Sequence, residues 1–190
     1  MEQIDPRRLL VNIARILERL NIPYIITGGI AVLVWGRPRF TADIDIVAEL
    51  KMGDIAKLEE ALRKLSEAGY IDRQSIKKAI LQEGEFNFVD GETGVKVDFW
   101  ILKRNTFDIS RLRRRVAKKI LSQKVYFSSP EDLILIKLQW FKKSESSRQL
   151  EDVESILKIS GDKLDMKYLK DWARKLGVAE TLEKLLSKKI

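Results

Sequence analysis

The chain contains no cysteine and no histidine among its 190 residues. These absences exclude a Ser-His-Asp or Cys-His triad, a histidine general base and the usual Cys/His zinc sites. A metal bound by this chain must therefore take oxygen ligands, which suit Mg²⁺ or Mn²⁺. The lack of cysteine fits a reducing compartment. A bilayer-length apolar run is also missing. Asn21 to Gly36, the longest uncharged stretch, has sixteen residues, short of the ~20 that span a membrane, and is cut by Gly28-Gly29. The N-terminal MEQIDPRR is charged and lacks the apolar core of a signal peptide, so the expected location is cytoplasmic, without a membrane partner.

What the chain has in excess is positive charge, with a formal net charge of +8 and a pI near 9.6. Such a balance favours an anionic partner, a nucleotide or nucleic acid. A surface rich in Lys and Glu, with 34% charged residues, equally suits a heat-adapted protein, and charge alone does not separate the two. The length accommodates one domain with a substantial core, or such a domain with a helical extension.

The most informative stretch is Tyr24 to Leu50, YIITGGIAVLVWGRPRFTADIDIVAEL. Tyr24 to Thr27 suits a strand, Gly28-Gly29 break it, and Ile30 to Trp35 suits a buried helix after a tight turn. Ile44, Ile46 and Val47 make a second strand in which Asp43 and Asp45 alternate with the apolar residues. Alternation sends both carboxylates to one face, with Cα atoms roughly 6.6 Å apart. Two like charges so placed repel unless something positive sits between them, and a divalent cation is the obvious candidate.

Around this stretch the pattern predicts strands and helices together. Pro6 to Leu20 has a helical apolar face at Leu9, Leu10, Ile13, Ile16, Leu17 and Leu20, with Asp5 as N-cap. Asp54 to Ala68 repeats that spacing and Ser75 to Leu81 is a short helix. Glu85 to Val89 alternates as a strand, DGETG turns the chain, and Val95 to Leu102 is the next strand. In that strand Asp98 shares a face with Lys96 and Trp100. Were it to pair beside the Asp43–Asp45 strand, Asp98 would reach the same cation site; otherwise it sits on a solvated face or answers Lys96. Arg111 to Lys119 (RLRRRVAKK) reads first as a solvated helix face and second as a phosphate or nucleic-acid contact. Val125 to Phe127 suits another strand.

From Ser129-Pro130-Glu131-Asp132, which is an N-cap, a first-turn proline and two first-turn acids, the chain reads as helices only. A boundary is expected there, between residues 1–128 and 129–190. Lys137, inside the apolar LILIKLQWF, either snorkels to water or reaches a phosphate. Arg148 and Asp152 stand at i, i+4 and suit a pair on one helix face. The apolar tail helices allow a homodimer.

The glycine pair after a strand, then Arg39-x-Thr41-x-Asp43-x-Asp45, then a distant Asp98 in an apolar strand, resembles the nucleotidyltransferase superfamily related to DNA polymerase beta. Within it the likeness is to the minimal nucleotidyltransferases and the AbiEii-like branch, whose helical tail is similar to SPEDLILIKLQWF with the following Arg148 and EDV. The resemblance covers most of residues 20 to 157. It implies an α+β fold, a small mixed sheet forming the nucleotidyltransferase core, covered by helices, with a C-terminal helical extension, and a place among toxin–antitoxin proteins. It implies transfer of a nucleoside monophosphate from an NTP, with ATP expected, to an acceptor hydroxyl on a small molecule, a tRNA or a protein. Asp43 and Asp45 would hold two Mg²⁺ ions (Mn²⁺ being the substitute), Asp98 would complete the second site and take the hydroxyl proton, and pyrophosphate would leave. Thr27, Gly28 and Gly29 would cradle the triphosphate, while Arg37, Arg39 and Lys137 would neutralise it. For Arg39 the alternative is a surface salt bridge. The superfamily often has Gly-Ser where this chain has Gly28-Gly29, which removes one hydroxyl from that cradle. The rival readings are a catalytically silent binding or antitoxin-like module of the same fold, and a basic nucleic-acid-binding protein.

Overall fold

Alternating apolar residues place the strands, and helical apolar stripes place what covers them. The computed structural model describes residues 6–188; the N-cap expected at Asp5 lies outside them. In chain order the elements are α1 (Pro6–Arg19), β1 (Tyr24–Thr27), α2 (Gly28–Trp35), β2 (Ile44–Ala48), α3 (Ile55–Leu65), α4 (Arg73–Gln82), β3 (Glu85–Val89), β4 (Lys96–Ile101), α5 (Thr106–Arg113), β5 (Val116–Ile120), β6 (Gln123–Phe127), α6 (Pro130–Ser144), α7 (Ser147–Ser160), α8 (Met166–Lys175) and α9 (Ala179–Ser187). The fold is α+β. No helix among the described residues is long and apolar enough to cross a membrane.

The chain divides into two compact units. The first comprises the residues up to Ile30 together with Thr41–Phe127. It contains the six-stranded mixed sheet, in the order β3-β4-β2-β1-β6-β5. β2 pairs parallel with β4, and β1 parallel with β6; the other neighbours are antiparallel. Ile44 and Ile46 of β2, Val97 and Phe99 of β4, and Phe86 and Phe88 of β3 are all buried. Phe86 stacks on its cross-strand partner Phe99 at 4.9 Å between centroids, a pairing that adds to the ~1.5–3 kcal/mol each such side chain gains on burial. α1 packs its buried Ile13, Ala14 and Leu17 against this unit, touching α3 and β6.

One expected element is corrected. The basic run Arg111 to Lys119 is not one helix: α5, capped by Asn105, ends at Arg113 and β5 begins at Val116. Val116-Ala117-Lys118-Lys119-Ile120 alternates in exposure along the sheet's outer strand, where lysines discourage pairing with another chain's edge. β5 and β6 are joined by Leu121-Ser122, both at positive φ (44° and 69°). Two-residue hairpin turns of this kind favour Asn-Gly. Leu121 is 44% exposed, so little packing is lost on replacing it. The variant Leu121→Asn/Ser122→Gly is expected to gain about 1 kcal/mol, read as a higher urea midpoint; a lower one would show that this turn is not strained.

The second unit comprises Ala31–Phe40 and Ser128 onward. Ser129 caps α6 by accepting from the Asp132 N–H, with Pro130 in the first turn. Trp35, at the end of α2, donates from Nε1 to the Ser128 carbonyl at 2.8 Å, and its own carbonyl accepts from Ser160 Oγ at 2.6 Å. Gly36 lies so close to α7 that a Cβ there would stand 3.3 Å from the Ile156 nitrogen.

Candidate active site

Strand register assembles a polar row on the first unit's sheet. Asp45 of β2 pairs with Thr27 of β1 on one side and with Asp98 of β4 on the other, and Asp98 pairs with Asn87 of β3. Directly paired residues show their side chains to the same face, so Thr27, Asp45, Asp98 and Asn87 cross four strands at ~4.8 Å steps. Asp43 precedes β2, and alternation puts it on the face of Asp45. All three aspartates are half-buried. Two carboxylates from neighbouring strands thus share one face.

The charge between them is partly met by Lys96. Its Nζ lies 2.8 Å from Asp98 Oδ2. The hydrogen bond to Asp98, together with the charges of Asp98, Asp43 and Asp45, holds the ammonium above the ordinary lysine range despite the opposing effect of burial.

The turn beside this row explains its two glycines. Gly28 starts α2 at φ +61°, and a Cβ there would overlap the Asp45 carboxylate and stand 2.8 Å from Asp45 Cβ. A Cβ on Gly29 would overlap Thr41 Oγ1 and stand 2.8 Å from Thr41 Cβ. The Thr27 hydroxyl, at the end of β1, is buried without a hydrogen-bond partner among the described residues. These positions therefore hold the backbone against the acidic row, at a helix start whose first N–H groups have no intrahelical acceptor.

The donor set fits a hard divalent cation. It is carboxylate oxygen throughout, and Mg²⁺ is ordinarily held by one or two protein carboxylates plus substrate phosphates. Among the described residues no three acidic side chains are gathered round one point as they stand; Asp98 is engaged with Lys96 instead. The buried Thr27 hydroxyl, without a partner among the described residues, lies along the same row, and the Asp45 carboxylate takes the place that a Gly28 Cβ would fill.

In the second unit a different carboxylate organises the cations. Arg39 meets Asp152 in a two-pronged contact, Nε to Oδ1 at 2.6 Å and Nη2 to Oδ2 at 2.8 Å. Lys137 Nζ is 2.7 Å from Asp152 Oδ2. The Asp152 side chain is 2% exposed and that of Lys137 7%. Burial works to raise the Asp152 pKa, but the hydrogen bonds and charges of Arg39 and Lys137 outweigh it and hold the carboxyl below the ordinary aspartate range. This corrects two expectations. Asp152 pairs with Arg39 and Lys137 rather than with Arg148, because α7 turns it into the interior beside Val153 and Ile156; and Lys137 does not snorkel to water. Arg37 is exposed.

Sequence reasoning overlooked Asn87 and gave Asp152 a different partner, Arg148. Asn87 occupies the polar position of the Phe86/Phe88 alternation, which was the available signal. Asp152 gave none, since its partners lie far away in the chain.

Comparison with solved structures shows the same fold. The antibiotic-resistance factor ANT(2'')-Ia is 15% identical, with 94% of this chain and 96% of that one covered at a TM-score of 0.57. An antigenic nucleotidyltransferase-like protein from Paracoccidioides brasiliensis is 20% identical, with 97% and 93% covered and a TM-score of 0.54. The lincosamide antibiotic adenylyltransferase LnuA, lincomycin-bound, is 15% identical, with 82% and 99% covered and a TM-score of 0.50. No curated protein matches the chain significantly. The family described as nucleotidyl transferase AbiEii toxin, Type IV TA system, matches residues 8–182, and the chain belongs to that nucleotidyl transferase family.

Proposed function

We propose that this nucleotidyl transferase moves a nucleoside monophosphate from an NTP, ATP in the first instance, to an acceptor hydroxyl, and that it depends on Mg²⁺. The observation that carries the reading is the register of Asp45 against Asp98, with Thr27 and the Gly28 turn continuing the row. Asp43, Asp45 and Asp98 are the residues that would hold the metal ions, which supply charge neutralisation for the attacking and leaving oxygens of an in-line displacement. Asp98 accepts the hydroxyl proton as the acceptor oxygen bonds to the α-phosphorus and the bond to the pyrophosphate leaving group breaks; the proton then passes to solvent. The Gly28-Gly29 backbone at the start of α2 offers N–H groups to the triphosphate, and Thr27 adds a buried hydroxyl that has no partner among the described residues.

The test is thermal unfolding with Mg²⁺ and ATP, paired with labelled NTPs in a cell extract. At a hundredfold excess over Kd, Mg²⁺–ATP should raise the midpoint of the wild-type protein by roughly 5–10 °C, and a labelled acceptor should appear. Asp43→Asn/Asp45→Asn should fold cooperatively yet lose both effects. A double variant that keeps the ATP shift and the labelling would overturn this reading; an ATP shift in the wild type with no labelling would favour the silent binding module.

A further inference from the structure

The cation placed among these carboxylates is the protein's own. Lys96 and Asp98 are two residues apart on β4, so their side chains leave the same face, the one that also carries Asp45. The ammonium is bonded to Asp98 at 2.8 Å and lies in the field of Asp43 and Asp45 as well. Facing carboxylates on neighbouring strands repel, and the ammonium offsets part of that repulsion. Its side chain is 42% exposed, so the four-carbon stem has a way to water, and an ion pair this open is weakly held.

We propose that Lys96 is the resident counter-ion of the carboxylate row, displaced from Asp98 when a divalent cation binds, so that it sets the cation concentration at which the site fills. The inference rests on the reading that Asp43, Asp45 and Asp98 hold divalent cations. A doubly charged ion compensates the row better than one ammonium does, and two cations beside one carboxylate repel each other. Lys96 is thus a positioning residue: it orders the row before an ion arrives and competes with that ion for it.

The experiment is titration of the full chain with Mn²⁺, following the free ion by electron paramagnetic resonance, for the wild type, Lys96→Gln, Lys96→Arg and Asp45→Asn. Removing a unit charge so close to the ion is expected to tighten Mn²⁺ binding about tenfold in Lys96→Gln. Lys96→Arg, which restores the charge, should return towards the wild-type affinity, and Asp45→Asn should bind far more weakly. The metal-free melting temperature of Lys96→Gln should fall, and its gain on adding Mn²⁺ should exceed that of the wild type. Should Lys96→Gln bind Mn²⁺ no more tightly than the wild type while Asp45→Asn loses it, the counter-ion role is wrong and the carboxylate site stands. Should neither the wild type nor Lys96→Gln bind Mn²⁺, the metal reading itself fails and takes this inference with it.

Discussion

Replacing Asp152 with alanine is expected to destabilise the protein by about 3–5 kcal/mol, the usual loss when one partner of a buried ion pair is removed. The cause is what remains behind. Lys137 is 7% exposed and has its ammonium on Asp152, and Arg39 has two nitrogens on the same carboxylate. With the carboxylate gone, a buried ammonium must lose its proton, find water or force α6 and α7 apart. Arg39, 25% exposed, should cost less when truncated, because Lys137 still neutralises Asp152. Asp152→Leu combined with Lys137→Met should recover most of the loss, since matched apolar residues commonly replace a buried pair without penalty. The pH dependence has a definite sign. The folded pKa of Asp152 lies below its unfolded value of ~3.9, so its stabilising contribution is fully present above pH ~4 and is lost as the pH falls through the folded pKa. Urea midpoints of wild type and Asp152→Asn should differ most near neutrality and converge below pH ~4. A constant difference across that range would exclude the ion pairs as its source.

The same cluster shows where sequence reading stops. Arg148 and Asp152 stand one helical turn apart, and local spacing favours their pairing; Arg39 and Lys137, from elsewhere in the chain, take the Asp152 carboxylate instead. Contacts between residues so distant leave no periodicity to read. Strand faces, in contrast, follow from alternation alone, so Asp43, Asp45 and Asp98 could be assigned to faces before any strand was paired. That β2 lies against β4 in the register Asp45 to Asp98 needed the structure. The basic run misled for a related reason. Six Lys and Arg residues between Arg111 and Lys119 obscure the alternation of β5, the outer strand of the described sheet, where lysines discourage pairing with another chain. Lys96 was visible as a partner of Asp98, but its bearing on Asp43 and Asp45 depends on the neighbouring strand. Gly28 and Gly29 were legible as a turn, whereas the side chains that exclude a Cβ at each come from Asp45 and Thr41.

Gly28→Ala is expected to be a severely damaging single-methyl change in the first unit. Two penalties coincide at this position. An L-residue at φ +61° carries about 1–2 kcal/mol of backbone strain, and the new Cβ overlaps the Asp45 carboxylate, an overpacking that costs about 1–3 kcal/mol. The carboxylate is the softer of the two bodies, so Asp45 yields. A displacement of about 1 Å in a group that positions reacting atoms lowers turnover about a hundredfold, and nucleotidyl transfer should fall at least that far. Gly53→Ala provides the control: no atom of the described residues lies within 4 Å of a Cβ there, and the stability should change by no more than about 0.5 kcal/mol. A double-mutant cycle with Asp45→Ala then separates the causes. Removing the carboxylate relieves the overlap, so Gly28→Ala should cost less in that background, by the 1–3 kcal/mol of overpacking, leaving the backbone strain. If the cost of Gly28→Ala is the same with and without the Asp45 carboxylate, the glycine serves the turn alone and the acidic row does not depend on it.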